Sequence, residues 1–415
     1  MTTTKQTVGK YEIERKIGEG GFGIVYQARD TVLERTVALK QLKLELSSSP
    51  EYLSRFKRES RLMGSLTHNN IVRVLDVFED GGRYFIVMDY LPNGSLADKL
   101  KDGKPLPLEQ AIEILKPIAR AIDYAHGKNL IHRDIKPSNI LFTEEDEPVL
   151  SDFGLVKSLD TSGLTSTGSS LGTPEYMAPE QILCKELTPA ADTYAFGVVA
   201  YQMLAGEVPF TGNTPFEIQE GHVHKEPPDI LNKNPELPEE FSEIFQCILA
   251  KDITQRSPSA KDFVKELNKI YDSQLLERNQ EKLEQARGLM AEKDFTKATV
   301  ILNKLFATKP DAELQDLLDT CKHREQVWKD YKQLIDQTQA LSDALESNEK
   351  RIKDLKDSEN WIMHDELKDK GVDLDRKKEE HYQVIENLTK TQKNVLITVI
   401  VLALLAFIII VASLS

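Results

Sequence analysis

Cysteine is scarce: Cys184, Cys247 and Cys321 are the only three in 415 residues, and none stands in a C-x-x-C spacing. That excludes a disulfide framework and a cysteine-based zinc site, and it points to a reducing compartment. Basic excess is lacking too, since 53 Lys and Arg face 67 Asp and Glu for a net charge of -14. General nucleic-acid binding needs clustered cations to meet phosphates, so that class is set aside. Residues 1–7 are polar and contain no apolar run, which reads as no cleavable secretory signal. What is present, 40% hydrophobic and 29% charged residues, fits a globular protein with a helix-rich, solvated portion. The length implies two or more regions.

One long apolar run does occur, at the far end. Val395 to Leu414 is twenty residues without a charge, followed by Ser415. As a helix it would span about 30 Å, the thickness of a bilayer core, with no polar stripe to pack as a buried helix would. It is therefore read as a transmembrane helix over 395–414. Lys390 and Lys393 precede it, so the N-terminal bulk is expected on the cytoplasmic side.

From residue 11 to 90, YEIERKIG, GIVYQARD, TVALKQL, IVRVLDVFED and RYFIVMDYL read as strands, with one helix from Glu51 to Leu66. From Leu108 the period turns helical, with Ile112, Leu115, Ile118, Ile122 and Ala125 on one face and further helices near 190–205, 239–250 and 259–270. The expected architecture is α+β: a small β-rich lobe before a larger helical lobe, over 11–271. Residues 272–325 read as a helical region, either one tetratricopeptide-like helix pair or an ordinary hairpin. Across 326–394 the chain reads as a juxtamembrane coiled-coil or helical region, a surface helix on a domain being the alternative to a coiled coil. Val327, Leu334, Leu341, Asn348 and Leu355 recur every seven residues, with Tyr331, Thr338, Leu345 and Ile352 as the second series. A homodimer through 327–355 is the expected assembly.

The chemistry lies in motifs that are weak singly. Gly18-Glu19-Gly20-Gly21-Phe22-Gly23 fits G-x-G-x-x-G, but a strand follows where a dinucleotide fold would place a helix. These glycines therefore belong to a hairpin tip over phosphates, with Val25 covering a planar base. Lys40, ending a strand, can reach phosphate oxygens, with Glu59 on the next helix as its ionic partner. In Ile131-His132-Arg133-Asp134-Ile135-Lys136-Pro137-Ser138-Asn139, Asp134 can accept a hydroxyl proton, Lys136 can neutralise a transferring phosphoryl group, and Asn139 offers an oxygen to a metal. Asp152 in Ser151-Asp152-Phe153-Gly154 supplies the second metal ligand. Phosphoryl transfer needs positioning and charge neutralisation above all, and this set provides both. His222-Val223-His224 lacks a third ligand and reads as structural or solvated.

Together with Ala178-Pro179-Glu180, Asp192 and Arg256, these residues resemble the Hanks-type Ser/Thr protein kinases, and YMAPEQ and HVHKEPP look most like the bacterial transmembrane members. The resemblance covers about 11–271 and implies a bilobal kinase fold, ATP, Mg²⁺ with Mn²⁺ as a substitute, and protein substrates. It places Ile17, Ala38, Met88 (the gatekeeper) and Leu141 around adenine, and gives Asp89 and Leu91 the hinge groups. Arg256 is implied to pair with Glu180, and the segment from Asp152 to Glu180 to form the protein-substrate platform. Thr165 and Thr167 look like autophosphorylation sites modified by a second molecule, and Thr173 is expected to touch the catalytic loop. Bacterial receptor kinases usually carry a sensor beyond the span, whereas here signal reception is expected elsewhere, with 272–394 the obvious candidate. Two rivals stay open: a small-molecule phosphotransferase, which would not need the long platform segment, and a membrane scaffold acting through 272–394.

Overall fold

The computed structural model describes residues 6–20, 23–43, 50–153, 173–308 and 310–366, with scattered positions between 379 and 401. The chain divides into two units, Met1–Gln274 and Leu275–Ser415.

The first unit opens with a six-stranded antiparallel sheet. Its strands are β1 (Thr7–Val8), β2 (Tyr11–Gly20), β3 (Gly23–Asp30), β4 (Arg35–Leu42), β5 (Val74–Asp80) and β6 (Arg83–Asp89), in the order β1-β2-β3-β4-β6-β5. Alternation puts Ala28, Val37, Leu39, Phe85 and Val87 into a small core on one face, with Tyr11 and Phe78 stacked at its edge. Buried Asp30 pins the turn into β4 by accepting from the Val32 and Leu33 amides at 3.0 and 3.1 Å. Helix α1 (Pro50–Gly64) follows β4 in the chain, burying Phe56 and Met63 in the main core.

Below the sheet the chain is helical. The elements are α2 (Leu96–Leu100), α3 (Leu108–His126), the strand pair β7 (Ile140–Phe142) and β8 (Pro148–Leu150), α4 (Pro179–Ile182), α5 (Pro189–Ala205), α6 (Pro215–His224) and α7 (Phe241–Ile248). Helix α3 is amphipathic and turns Ile112, Leu115, Ile118 and Ile122 inward, as its period predicts. Helix α5 differs: from Ala191 to Ala205 nearly every side chain is buried, so it is enclosed on all sides and serves as the axis of this lobe. Pro189 starts it, and Gly206 ends it with φ 81°, a left-handed conformation that glycine adopts without strain.

Helix α8 (Ala260–Ala291) gives its N-terminal part to this unit, where Phe263 and Leu267 are buried. In the second unit, Ala286 and Met290 of α8, Phe295, Ala298 and Leu302 of α9 (Phe295–Thr308), and Leu318 and Cys321 of α10 (Ala312–Glu366) form one apolar cluster. A third helix thus closes what the sequence offers as a helix pair, and α10 runs unbroken through residue 325, where a regional boundary is expected. Along α10, Val327, Tyr331, Leu334, Thr338 and Leu345 are half-buried, while Leu341 and Ile335 are each 47% exposed. Among the described residues no helix is long and apolar enough to cross a membrane. The apolar run 395–414 lies largely outside the described residues.

Candidate active site

The glycine motif straddles the β2–β3 hairpin: Gly18 pairs with Val25 and Gly20 with Gly23. Gly21 and Phe22, between them, lie outside the described residues. The glycines differ in what they face. An added methyl at Gly23 would run into the Gln41 carbonyl oxygen of β4, whereas among the described residues Gly20 meets nothing within 4 Å and Gly18 only the Val25 side chain at 3.9 Å. Glu19 pairs with Lys16, and Ile17 is exposed. Ala38 and Met88 sit opposite one another on β4 and β6, both buried, and partly buried Val25 and Leu91 pack against the same core. Leu141 lies on β7. These apolar side chains are compatible with a flat aromatic base. Of the two residues expected at the hinge, Asp89 donates its N–H to the Arg73 carbonyl at 3.2 Å, and its carboxylate meets Arg73 Nε at 3.3 Å.

Lys40 occupies β4, directly opposite Val25. Its ammonium meets Asp152 Oδ1 at 2.6 Å, where Glu59 is the partner expected from the sequence. Glu59 lies on the buried face of α1 and lines a cavity of about 100 Å³ with Arg58, Leu62, Met63, Arg133 and Phe153. Where α1 directs Glu59 depends on the rotation and tilt of that helix, which residue spacing leaves open.

The catalytic loop is organised from below. Asp192, in the first turn of α5 and 1% exposed, accepts from the His132 and Arg133 amides at 2.7 Å each, and from His126 Nε2 at 2.8 Å. Arg133 holds φ 66°, a left-handed conformation that costs energy in any residue with a long side chain, and these two amide bonds sustain it. Buried His132 gives its Nε2 proton to the Ser151 carbonyl at 2.8 Å, so Nδ1 is left to accept from the Asp134 amide at 3.2 Å. Burial holds its pKa below the usual imidazole value, in keeping with that neutral form. The Phe153 ring covers it, with centroids 4.5 Å apart.

On this frame the reactive groups converge. Lys136 Nζ lies 3.0 Å from Asp134 Oδ2 and donates to Thr173 Oγ1 at 3.2 Å, so Thr173 does contact the catalytic loop. Asn139 Nδ2 donates to the Asp134 carbonyl at 2.7 Å and to its Oδ2 at 3.1 Å, which turns the Asn139 amide oxygen away from that carboxylate. The Ser151 amide donates to the Asn139 carbonyl at 2.8 Å, tying the strand that leads into Asp152 to the turn that carries Asn139. Asp152 itself has φ 55°. No cluster of three or more His, Cys, Asp or Glu around one point occurs among the described residues. One carboxylate and one amide oxygen are nonetheless hard oxygen donors of the kind Mg²⁺ uses when phosphates and water complete its shell.

Beyond the loop, Arg256 and Glu180 form a bidentate pair at 2.6 and 2.8 Å, with side chains 1% and 2% exposed. Sequence reasoning missed two further supports, His126 on Asp192 and Gln181, whose Nε2 donates to the Arg133 carbonyl at 3.0 Å. Neither carries a motif signal, since both act on the backbone or on another support. His222 is fully buried in α6 and His224 is exposed. Thr165, Thr167 and Gly154 lie outside the described residues.

Residues 11–269 match the protein kinase domain model. The chain is 32% identical over 325 residues to the serine/threonine-protein kinase PrkC of Bacillus subtilis, covering 78% of this chain and 49% of that protein. It is 38% identical over 260 residues to the serine/threonine-protein kinase PknA of Mycobacterium tuberculosis, covering 61% of this chain and 60% of that protein. It thus spans about half the length of these curated relatives. The crystal structure of the Mycobacterium tuberculosis PknI kinase domain is similar with a TM-score of 0.52 at 26% identity, covering 65% of this chain and 99% of that one. Bilobal fold, catalytic loop and family match agree, and the chain belongs to the protein kinase domain family, among relatives that are bacterial Hanks-type Ser/Thr kinases.

Proposed function

We propose that this protein transfers the terminal phosphoryl group of ATP to Ser and Thr hydroxyls of proteins. The observation that carries the reading is the gathering of Lys40 with Asp152, and of Asp134 with Lys136 and Asn139, through contacts of 2.6 to 3.1 Å. Asp134 orients the acceptor hydroxyl and takes its proton. Lys136 places positive charge beside the group in flight, and Lys40, with Glu59 supporting α1, engages the inner phosphates. Asp152 and Asn139 would hold Mg²⁺, or Mn²⁺, which when bound neutralises phosphate oxygens. The β2–β3 glycine hairpin from Ile17 to Gly23, with Val25, Ala38, Met88, Asp89, Leu91 and Leu141, houses the nucleotide.

The regulatory reading is autophosphorylation at Thr165 and Thr167 by a second copy. It is supported by Arg133, whose buried Nε has no hydrogen-bond partner among the described residues, and by Arg58 lining the same cavity. A phosphate adds about -1.5 to -2 charges and strong acceptors that such guanidiniums grip. The exposed apolar positions Ile335 and Leu341 on α10 support pairing of two copies through 327–355. The uncharged run 395–414 after Lys390 and Lys393 supports a membrane anchor with the kinase domain cytoplasmic.

Purified Asp152→Ala protein tests the core of this. Turnover on a generic basic protein should fall by about 10³-fold or more, because the cleft loses the carboxylate that meets Lys40 and would hold the metal. A rate near that of the unaltered protein would refute the site. Mixing that inactive variant with active protein should place phosphate on Thr165 and Thr167 of the inactive chain, read by mass spectrometry. No transfer between chains would refute the regulatory reading.

A further inference from the structure

The turn Pro174–Tyr176 lies between Thr173, which touches the catalytic Lys136, and Glu180, which is locked to Arg256. It is tied down by a third group, on α6. His222 is fully buried, and its Nε2 lies 3.0 Å from the Glu175 carbonyl oxygen. A carbonyl only accepts, so the Nε2 proton is fixed by this contact. His222 Nδ1 is then an acceptor, and the Tyr194 hydroxyl, 2.9 Å away on the enclosed helix α5, donates to it. The chain Tyr194 O–H to His222 to Glu175 C=O therefore runs in one direction from the centre of the lobe to the turn.

Packing leaves the imidazole little freedom. The Phe210 and Tyr194 rings meet it edge-on, with centroids 4.9 and 5.7 Å away. Next to His222, Gly221 lets α6 approach closely, since a methyl there would stand 3.0 Å from Phe210 Cβ. Two cations flank the site: Lys251 Nζ lies 4.2 Å from the Phe210 ring centroid, and the Arg256 guanidinium 4.8 Å from that of Tyr194. A protonated imidazole would be a third cation in this buried space and would lose its acceptor role toward Tyr194.

We propose that His222, held in one tautomer by Tyr194, is a positioning residue that sets the height of the Pro174–Tyr176 turn and so the seating of the protein substrate. The idea rests on the kinase reading of the cleft and adds a residue that the family motifs leave out. Its signature is selective: substrate docking should depend on His222, and nucleotide binding should not.

The test uses the full chain with a generic basic protein as substrate. His222→Phe fills the ring volume and removes both nitrogens. KM for the protein should rise about tenfold, the effect of one lost hydrogen bond of about 1.4 kcal/mol, with KM for ATP within about twofold. His222→Gln restores an N–H at the Nε2 position and should bring KM back to within about threefold of the unaltered protein. In ¹⁵N spectra of histidine-labelled protein, His222 should show a protonated Nε2 and a bare Nδ1. Unchanged protein KM in a folded His222→Phe variant, equal KM for the Phe and Gln variants, or a protonated Nδ1 would each overturn the proposal. Unaltered protein that phosphorylates nothing would instead defeat the kinase reading itself, so the two failures are distinguishable.

Discussion

Replacing Asp192 by Ala separates holding the fold together from holding the catalytic loop in shape. Its carboxylate accepts three bonds at 2.7–2.8 Å, from two backbone amides and an imidazole, at a site 1% exposed. Each buried donor left unpaired costs about 1–3 kcal/mol, and the Arg133 backbone, freed from φ 66°, returns about 1–3 kcal/mol as it relaxes. With three donors lost the net cost is roughly 2–6 kcal/mol, below most of the range of 5–15 kcal/mol that a domain typically has, so the variant should still fold. Relaxation at Arg133 swings the peptide that carries Asp134, and a misplacement of about 1 Å is worth roughly 10²-fold in rate. The expected result is a cooperative but earlier urea transition, at least a fall of about 100-fold in turnover, and binding of a fluorescent nucleotide changed by less than about threefold. Asp192→Asn keeps the shape but turns one acceptor into a donor facing an N–H, and should fall between. Turnover within about threefold of the unaltered protein in folded Asp192→Ala would refute the argument that this carboxylate shapes the loop.

Arg256→Met should destabilise by about 3–5 kcal/mol, because it strands the Glu180 carboxylate in a site 2% exposed. Arg256→Met with Glu180→Leu should regain much of that loss in urea midpoints, and a double variant no better than the single would contradict it. Breaking the half-exposed Lys233–Glu207 pair, despite its 2.6 Å contact, should cost under about 1 kcal/mol. For pH, burial pushes His222 down to about 3, while the unfolded chain titrates near the ordinary value of 6.5. Between those values the unfolded state binds a proton that the fold refuses, so stability is full above pH 6.5 and falls by about 1.4 kcal/mol per unit below it. His132, also lowered by burial, adds in the same sense. Equal urea midpoints at about pH 7 and pH 5 would refute this.

Strand alternation in β2 to β6 and the three- and four-residue period of α3 make the two-lobe order legible, because each element's burial is written in its own period. The reactive groups of the catalytic loop are legible because they lie within a few residues of one another. What stays hidden depends on rigid-body placement. Lys40 meets Asp152, 112 residues away, through the way the sheet sits over β8, whereas spacing alone points it to Glu59. His222 reads in the sequence only as structural or solvated, because nothing in H-x-H tells that Tyr194 and Glu175 will flank it. A helix pair and a heptad seam share nearly one period, so the continuity of α10 across residue 325 leaves no mark in the sequence.

The three motif glycines Gly18, Gly20 and Gly23 look equivalent in the sequence, yet they guard against different injuries. At Gly23 the obstacle is the β4 backbone itself, so an alanine there would wedge two paired strands apart. Among the described residues, a methyl group at Gly20 meets nothing and one at Gly18 makes only an ordinary contact. An alanine scan of this hairpin would then mix two phenotypes. Loss of activity at Gly23 reports damage to the sheet that carries Lys40, and only the losses at Gly18 and Gly20 speak about the nucleotide.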